Sequence, residues 1–102
     1  MFLKRIRLKN CDIWVVTDDR RTLGVISIAM PSGGRVLSYD LLGSSFEYAG
    51  KVIAEWLALR TGRPCIAITN VRLGDFNLYR RAIEEMLAVE GVEEDNRRDN
   101  GR

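Results

Sequence analysis

Apolar and polar residues alternate along most of the first 42 residues of the chain, with turn-forming residues between the alternating runs. Such alternation predicts β-strands, because successive side chains of a strand point to opposite faces of its sheet. Four strands are predicted in this way, at residues 2–9, 13–17, 23–30 and 35–42. Charged residues along the first run are typical of a sheet edge, where they discourage pairing with other chains.

After Gly43 the apolar residues recur at three- and four-residue steps, which predicts a helix with one apolar stripe. Ser44 and Glu47 have the spacing of a capping box, so the helix is expected to begin at Ser44. Gly62 and Pro64 predict its end. The stripe consists of Phe46, Ala49, Val52, Ile53, Trp56, Leu57 and Arg60.

The rest of the chain predicts one more strand and one more helix. The short apolar run from Cys65 to Thr69 is the strand, and the helix begins near Asp75, a good N-cap, and ends before Gly91. The order ββββαβα predicts a single α+β domain over residues 1–91, with a mainly antiparallel sheet of about five strands and both helices on one face. The charged segment 92–102 is expected to be a disordered tail.

The two faces of the predicted sheet differ in side-chain size. The bulky face, with residues such as Ile26, Ile28 and Leu37, is expected to meet the helices. The other face is small and uncharged, which is unusual for a sheet face left in water. Because two helices can cover only one face, we expect a second copy or a related chain to pack sheet against sheet on the small face. The predicted dimer interface consists of Val25, Ser27, Ala29, Val36 and Ser38.

The composition removes several classes of function. The 102 residues include no histidine, which excludes Ser-His-Asp and Cys-His catalysis and removes the commonest zinc ligand. Cys11 and Cys65 have no metal-ligand spacing, so free thiols are expected, with a disulfide between them as the alternative. No metal or cofactor is expected.

Charge and hydropathy bear on partners and location. The net charge of +2 is too small to indicate a nucleic-acid partner. No apolar run approaches the roughly 20 residues that span a membrane, and the N-terminus lacks the apolar block of a signal peptide, so a cytoplasmic protein is expected. The lack of glutamine, a thermolabile amide, favours a thermophilic source.

Five arginines could form one rim of the fold and bind an acidic partner protein, with a solvated rim as the alternative. These predicted partner-binding residues are Arg20, Arg21, Arg60, Arg63 and Arg72.

The element order also allows an enzyme. Three antiparallel strands, a helix and a further strand describe a ribonuclease-H-like core, in which carboxylates hold two magnesium ions. Asp12 or Asp18, together with Glu47, fall near two of the three carboxylate positions. Asn70 occupies the third, and a neutral amide weakens a site that needs several anionic oxygens. A metal-dependent nuclease is therefore an alternative rather than the main hypothesis.

Five short segments carry a resemblance to a known family. They are Leu41-Leu42-Gly43, Leu57 to Gly62, Ile66 to Asn70, Asp75-Phe76-Asn77 and Glu84-Glu85-Met86. Their order and spacing resemble the fourth proteasome assembly chaperone family and, more loosely, the third. The sequence starts almost directly at the first strand and has a shorter connection after Ile66 to Asn70, which suggests an archaeal member.

The resemblance implies a non-enzymatic function. Members of that family form dimers, packed through their sheets with the helices outside, and bind α-type proteasome subunits during assembly of the α ring. The dimer partner would be the protein itself or a paralogue, and no catalytic residue is carried over. A generic protein-binding dimer with another client and the nuclease are the alternatives.

Overall fold

A computed structural model describes the backbone of residues 1–100 and the side chains of residues 1–89. The elements occur in the predicted order, ββββαβα. The strands are β1 (Phe2–Arg7), β2 (Asp12–Thr17), β3 (Val25–Ser32), β4 (Arg35–Leu42) and β5 (Cys65–Thr69). The helices are α1 (Gly50–Thr61) and α2 (Phe76–Asn100), and a 3-10 turn at Leu73–Asp75 precedes α2.

The five strands form one sheet in the order β1-β2-β5-β3-β4. The β2–β5 pair is parallel, and the other three pairs are antiparallel. The prediction of a mainly antiparallel five-stranded sheet is therefore confirmed. The last strand of the chain, β5, lies at the centre of the sheet, a position that strand periodicity alone does not predict.

Helix α1 begins six residues later than the capping box predicts. Ser44 accepts a hydrogen bond from the Phe46 N–H at 3.2 Å instead of capping a helix. The residues before Gly50 run alongside the segment that follows β5, and the Ala49 N–H donates to the Val71 carbonyl at 2.8 Å. Residues 45–47 form a turn, and Tyr48 pairs with Arg72 in an isolated antiparallel bridge, so the chain is not helical where the sequence predicts a first helical turn.

The other predicted helix boundaries have mixed outcomes. Gly62 ends α1 in the left-handed conformation, at φ +71°, as predicted. Helix α2 follows Asp75, as predicted, but runs beyond Gly91 to Asn100. A glycine costs a helix only about 1 kcal/mol relative to alanine, so it does not by itself end one. The predicted disorder of residues 92–102 stays a prediction, since residues 101 and 102 and the side chains of residues 90–100 lie outside the described part.

Both helices lie on one face of the sheet, as predicted, but they cover the small face rather than the bulky one. Val25, Ser27 and Ala29 have no exposed surface and lie beneath α1. A Cβ atom on Gly50 would lie only 2.5 Å from Val25 Cγ1 and 2.6 Å from Ser27 Oγ, so the helix approaches the strand very closely. Gly50, Ala54 and Ala58 are buried in this contact.

The predicted dimer interface is consequently wrong. Three of its residues are buried beneath α1, and the other two also belong to the covered face of the sheet. Ser38 donates a hydrogen bond to Glu55 of α1 at 3.0 Å, and Val36 packs against the core. The physical reason is that the small residues of α1 leave room only for small side chains on the strands below it.

The core fills the space between the covered face and the two helices. Trp14 is fully buried, whereas Trp56 is half-buried and meets Phe76 edge-on, with ring centroids 6.2 Å apart. Leu78 and Val89 of α2 are exposed. The residues of the core are Trp14, Val16, Ala29, Ala49, Ile53, Ala54, Leu57, Ala58, Cys65, Ala67, Val71, Tyr79, Ile83 and Leu87.

Candidate functional site

The face of the sheet opposite the helices carries two apolar rows that cross all five strands. We call it the open face. In an antiparallel or parallel pair, residues directly opposite each other share a face, so the register defines each row. The first row is Ile6, Ile13, Ile66, Ile28 and Tyr39. The second row is Lys4, Val15, Ile68, Ile26 and Leu42.

Neither helix packs on the open face in the part of the chain whose side chains the structure describes. The central isoleucines are only half-buried, because they are shielded by their neighbours in the sheet and by nothing above it. Met30 and Leu37 extend the apolar surface beyond the two rows. Lys4, at the β1 corner, is the one charge in either row.

The area of the open face is large for an exposed apolar surface. Five strands spaced about 4.8 Å apart and about six residues of about 3.3 Å each give a surface of roughly 24 by 20 Å. Monomeric soluble proteins rarely expose an apolar patch of more than a few hundred Å². Two such faces in contact would remove about 1,000 Å² of projected surface from water, which is close to the lower limit for a biological interface.

The five predicted partner-binding arginines do not form one rim. Arg63 is committed to the buried carboxylate of Asp12, at 2.9 Å, and also donates to the Leu8 carbonyl. Arg60 pairs with Glu84 at 3.3 Å, which links the two helices.

The other three arginines lie near the ends of β2 and β5. Arg21 lies 4.3 Å above the Phe2 ring, and Arg20 pairs with Asp18 at 2.9 Å. Arg20 and Arg72 both line a pocket of about 140 Å³ at this edge. The structure therefore brings two of the five predicted arginines together.

A hydrogen-bonded pair of polar side chains forms one wall of this pocket. Asn70 donates from Nδ2 to Asp18 and to Thr22, at 2.9 and 2.8 Å, and its Oδ1 accepts the Asp18 N–H. The Asn70 hydrogen bond, helped by Arg20, lowers the pKa of Asp18 below its ordinary value, against a smaller opposing effect of burial. Tyr79 also lines the pocket, and burial raises the pKa of its phenol. The pocket is lined by polar side chains and is close to the size of one side chain of a partner.

The carboxylates of the nuclease alternative are not assembled. Asp18 and Asn70 do meet, but Asp12 lies at the opposite end of β2. Among the described residues, no group of three or more Asp, Glu, Cys or His side chains could hold a metal ion. The centrally placed β5 also separates β2 from β3, so these strands do not form the contiguous antiparallel unit that the alternative requires.

Both cysteines are free, as the sequence predicts. Cys65 is fully buried, and burial together with the charge of Asp12 raises the pKa of its thiol to about 12. Cys11 is partly exposed. The two thiols should therefore differ in reactivity, because the thiolate is the nucleophile.

We expect a disulfide exchange reagent at pH 8 to modify one thiol per native chain and two per chain in denaturant. The absorbance of the released thiolate counts the modified thiols. A Cys11→Ser variant should give none in the native state, and rapid native modification of that variant would contradict the buried, protonated state of Cys65.

No family model, curated protein or solved structure matches this chain. None of the helices that the structure describes combines the length and the apolar character needed to cross a membrane.

The open face could have been found in the sequence. Ile26, Ile28, Ile66 and Ile68 alternate along two strands, and this pattern was visible. The alternation shows that a sheet has two faces but not which of them a helix covers. The missing signal was the run of small residues in α1, which fits the small face alone.

Proposed function

We propose that this protein is a non-enzymatic assembly factor of the proteasome assembly chaperone type. It dimerises through the open face, with a second copy or a paralogue, and binds α-type proteasome subunits while the α ring assembles. The observation that carries the proposal is the isoleucine-rich face that no described element of the chain covers.

Packing of two sheets against each other would cover this apolar face. Two sheets pack about 10 Å apart when their inner faces are apolar, and the helices then remain outside. We keep the sheet-on-sheet dimer proposed from the sequence, but we place its interface on the opposite face of the sheet. Ile28 and Ile66 lie at its centre, in the middle of the first row.

The client-binding surface is proposed at the pocket that Arg20 and Arg72 line. Arg72 is exposed and has no ion pair among the residues with described side chains, so it can receive an acidic side chain of a client. An assembly factor must also let its client go, and an exposed ion pair is weak enough to be displaced by later subunit contacts.

The dimer is tested by placing a charge in the open face. We expect Ile28→Asp to shift the protein from dimer to monomer, because an unpaired carboxylate in a dry interface is strongly unfavourable. Sedimentation at roughly 1 to 100 μM measures the change. Leu59→Asp, on the exposed side of α1, is the matched control and should remain dimeric. A wild-type protein that is monomeric throughout would overturn this part of the proposal.

Co-expression with the α-type proteasome subunit of the same source, followed by sizing of the complex, tests whether that subunit is the client. Arg72→Glu should reduce the co-purified subunit several-fold, whereas Arg81→Glu, on the exposed side of α2, should not. A stable dimer that never retains the subunit would favour the alternative, a protein-binding dimer with another client.

A further inference from the structure

The two edges of the sheet differ sharply. Strand β1 has six residues, three of them basic, which is a common protection against pairing with another chain. Strand β4 has eight residues, and its side chains on the open face are apolar and exposed: Leu37, Tyr39 and Leu41 are 51%, 55% and 57% exposed. Outside the strand ladder, no backbone hydrogen bond of the described residues involves β4.

The register with β3 identifies the outward backbone groups of β4. In an antiparallel pair, every second residue exchanges two hydrogen bonds with its partner, and the others point away. Pro31 has no N–H and lies opposite Val36, so this pair is not the hydrogen-bonded kind. Val36, Ser38 and Asp40 therefore direct their N–H and C=O groups away from β3, toward the free edge.

These groups allow β4 to pair with itself about a two-fold axis. With the axis at Tyr39, Ser38 lies opposite Asp40 and can exchange backbone hydrogen bonds with it. On the open face, Tyr39 then lies opposite Tyr39, and Leu37 lies opposite Leu41. The pairing ends at Leu41, because the register of β4 with β3 shifts there and Leu42, not Leu41, lies opposite Ile26. On the covered side a hydroxyl lies opposite a carboxylate.

The neighbouring registers are worse. An axis at Asp40 places two carboxylates directly opposite each other, which is destabilising. An axis at Ser38 places Arg35 against Leu41 and the carboxylate of Asp40 against Val36. Of these three registers, only the one about Tyr39 avoids both a pair of carboxylates and a charged residue opposite an apolar one, from residue 37 to residue 41.

We propose that two copies of this protein pair edge to edge through β4, in the register centred on Tyr39. The pairing produces one continuous ten-stranded sheet and joins two open faces into a single apolar surface. It uses the edge of the sheet and not its face, so it is separate from the proposed dimer and compatible with it.

The edge contact is small. Five residues of about 3.4 Å and a sheet with side chains about 10 Å thick give roughly 170 Å² of projected area per copy. A stable interface buries about 800 Å² per partner, so the pairing is weak on its own. A test must therefore trap it.

A disulfide between the two copies can hold the pair together. Residues opposite each other in a pair that does not exchange hydrogen bonds have Cα atoms about 4.5 Å apart, which a disulfide can bridge. In a Cys11→Ser background, we expect Tyr39→Cys to cross-link to a dimer under mild oxidation, as seen on a non-reducing gel. Leu37→Cys, almost equally exposed, has its counterpart at residue 41 and should cross-link at least tenfold more slowly.

Two further variants separate the interpretations. Ser38→Pro removes one outward N–H and should slow the Tyr39→Cys cross-link several-fold, with circular dichroism confirming the fold. Cross-linking should persist when Ile28→Asp is added. Its loss there would assign the contact to face packing and overturn the edge pairing while leaving the proposed function intact. Equal rates for Tyr39→Cys and Leu37→Cys would also overturn it.

Discussion

Replacing Asp12 with alanine is expected to lower the free energy of unfolding by about 3–5 kcal/mol, the cost of leaving a buried charge without its partner. Asp12 is only 1% exposed and accepts from Arg5 at 2.9 Å and from Arg63 at 2.9 Å, with Arg7 at 3.9 Å. Its side chain thereby joins the edge strand β1 to the connection between α1 and β5.

The reason for the large effect is the position of Arg5. The sequence predicts a wet, basic face for β1, but the Arg5 side chain is only 7% exposed and lies 5.5 Å above the Trp14 ring. Without Asp12, the guanidinium would stay in the core and lose the carboxylate that lies 2.9 Å from it. The loss would be a large share of the 5–15 kcal/mol that stabilises a typical domain.

Urea unfolding measures the change in the free energy of unfolding. The urea concentration at the midpoint should fall, while the slope of the free energy against urea concentration stays unchanged. The matched control is the double variant Arg5→Met with Asp12→Ala. It removes the buried Arg5 charge as well, so it should be more stable than Asp12→Ala alone. A single variant that loses less than about 1 kcal/mol would show that the pair is screened as a surface salt bridge is.

Replacing Trp14 with alanine is expected to cost about 3–5 kcal/mol, because it removes a large, fully buried side chain and leaves a cavity. The Trp14 ring belongs to the core between the sheet and the helices. Its Nε1–H has no hydrogen-bond partner among the described residues. That unpaired donor already costs the folded state free energy.

The phenylalanine variant separates the two contributions. Trp14→Phe leaves a smaller cavity and deletes the unpaired N–H, so its loss should be less than about 1.5 kcal/mol. Unfolding followed by circular dichroism measures both variants, since tryptophan fluorescence changes with the substitution itself. Equal losses for alanine and phenylalanine would mean that the indole N–H has an important partner.

Periodicity predicted the elements well because strand and helix patterns are local. The five strands, the end of α1 at Gly62 and the start of α2 after Asp75 all depend on neighbouring residues. The start of α1 was missed because Ala49 pairs with Val71, a contact between distant segments that outweighs the local capping signal.

The site was less predictable, because it depends on which face the helices cover. The sequence alternates between Ile26 and Ser27 in the same way whether the isoleucine or the serine points toward the helices. The close approach of Gly50 to Val25 decides the matter, and it arises only once α1 has docked. Arg20 and Arg72 line the same pocket because β2 and β5 are neighbours in the sheet, so the segments that follow these strands lie close together.

The central place of β5 also governs how the protein can fold as it is synthesised. β1 with β2 and β3 with β4 can form two hairpins early, but only β5 joins them into one sheet. Until Cys65–Thr69 has left the ribosome, each hairpin keeps its apolar side exposed and its inner edge unpaired. Such long-range pairing slows folding, so the nascent chain passes through an interval in which it is itself prone to aggregate.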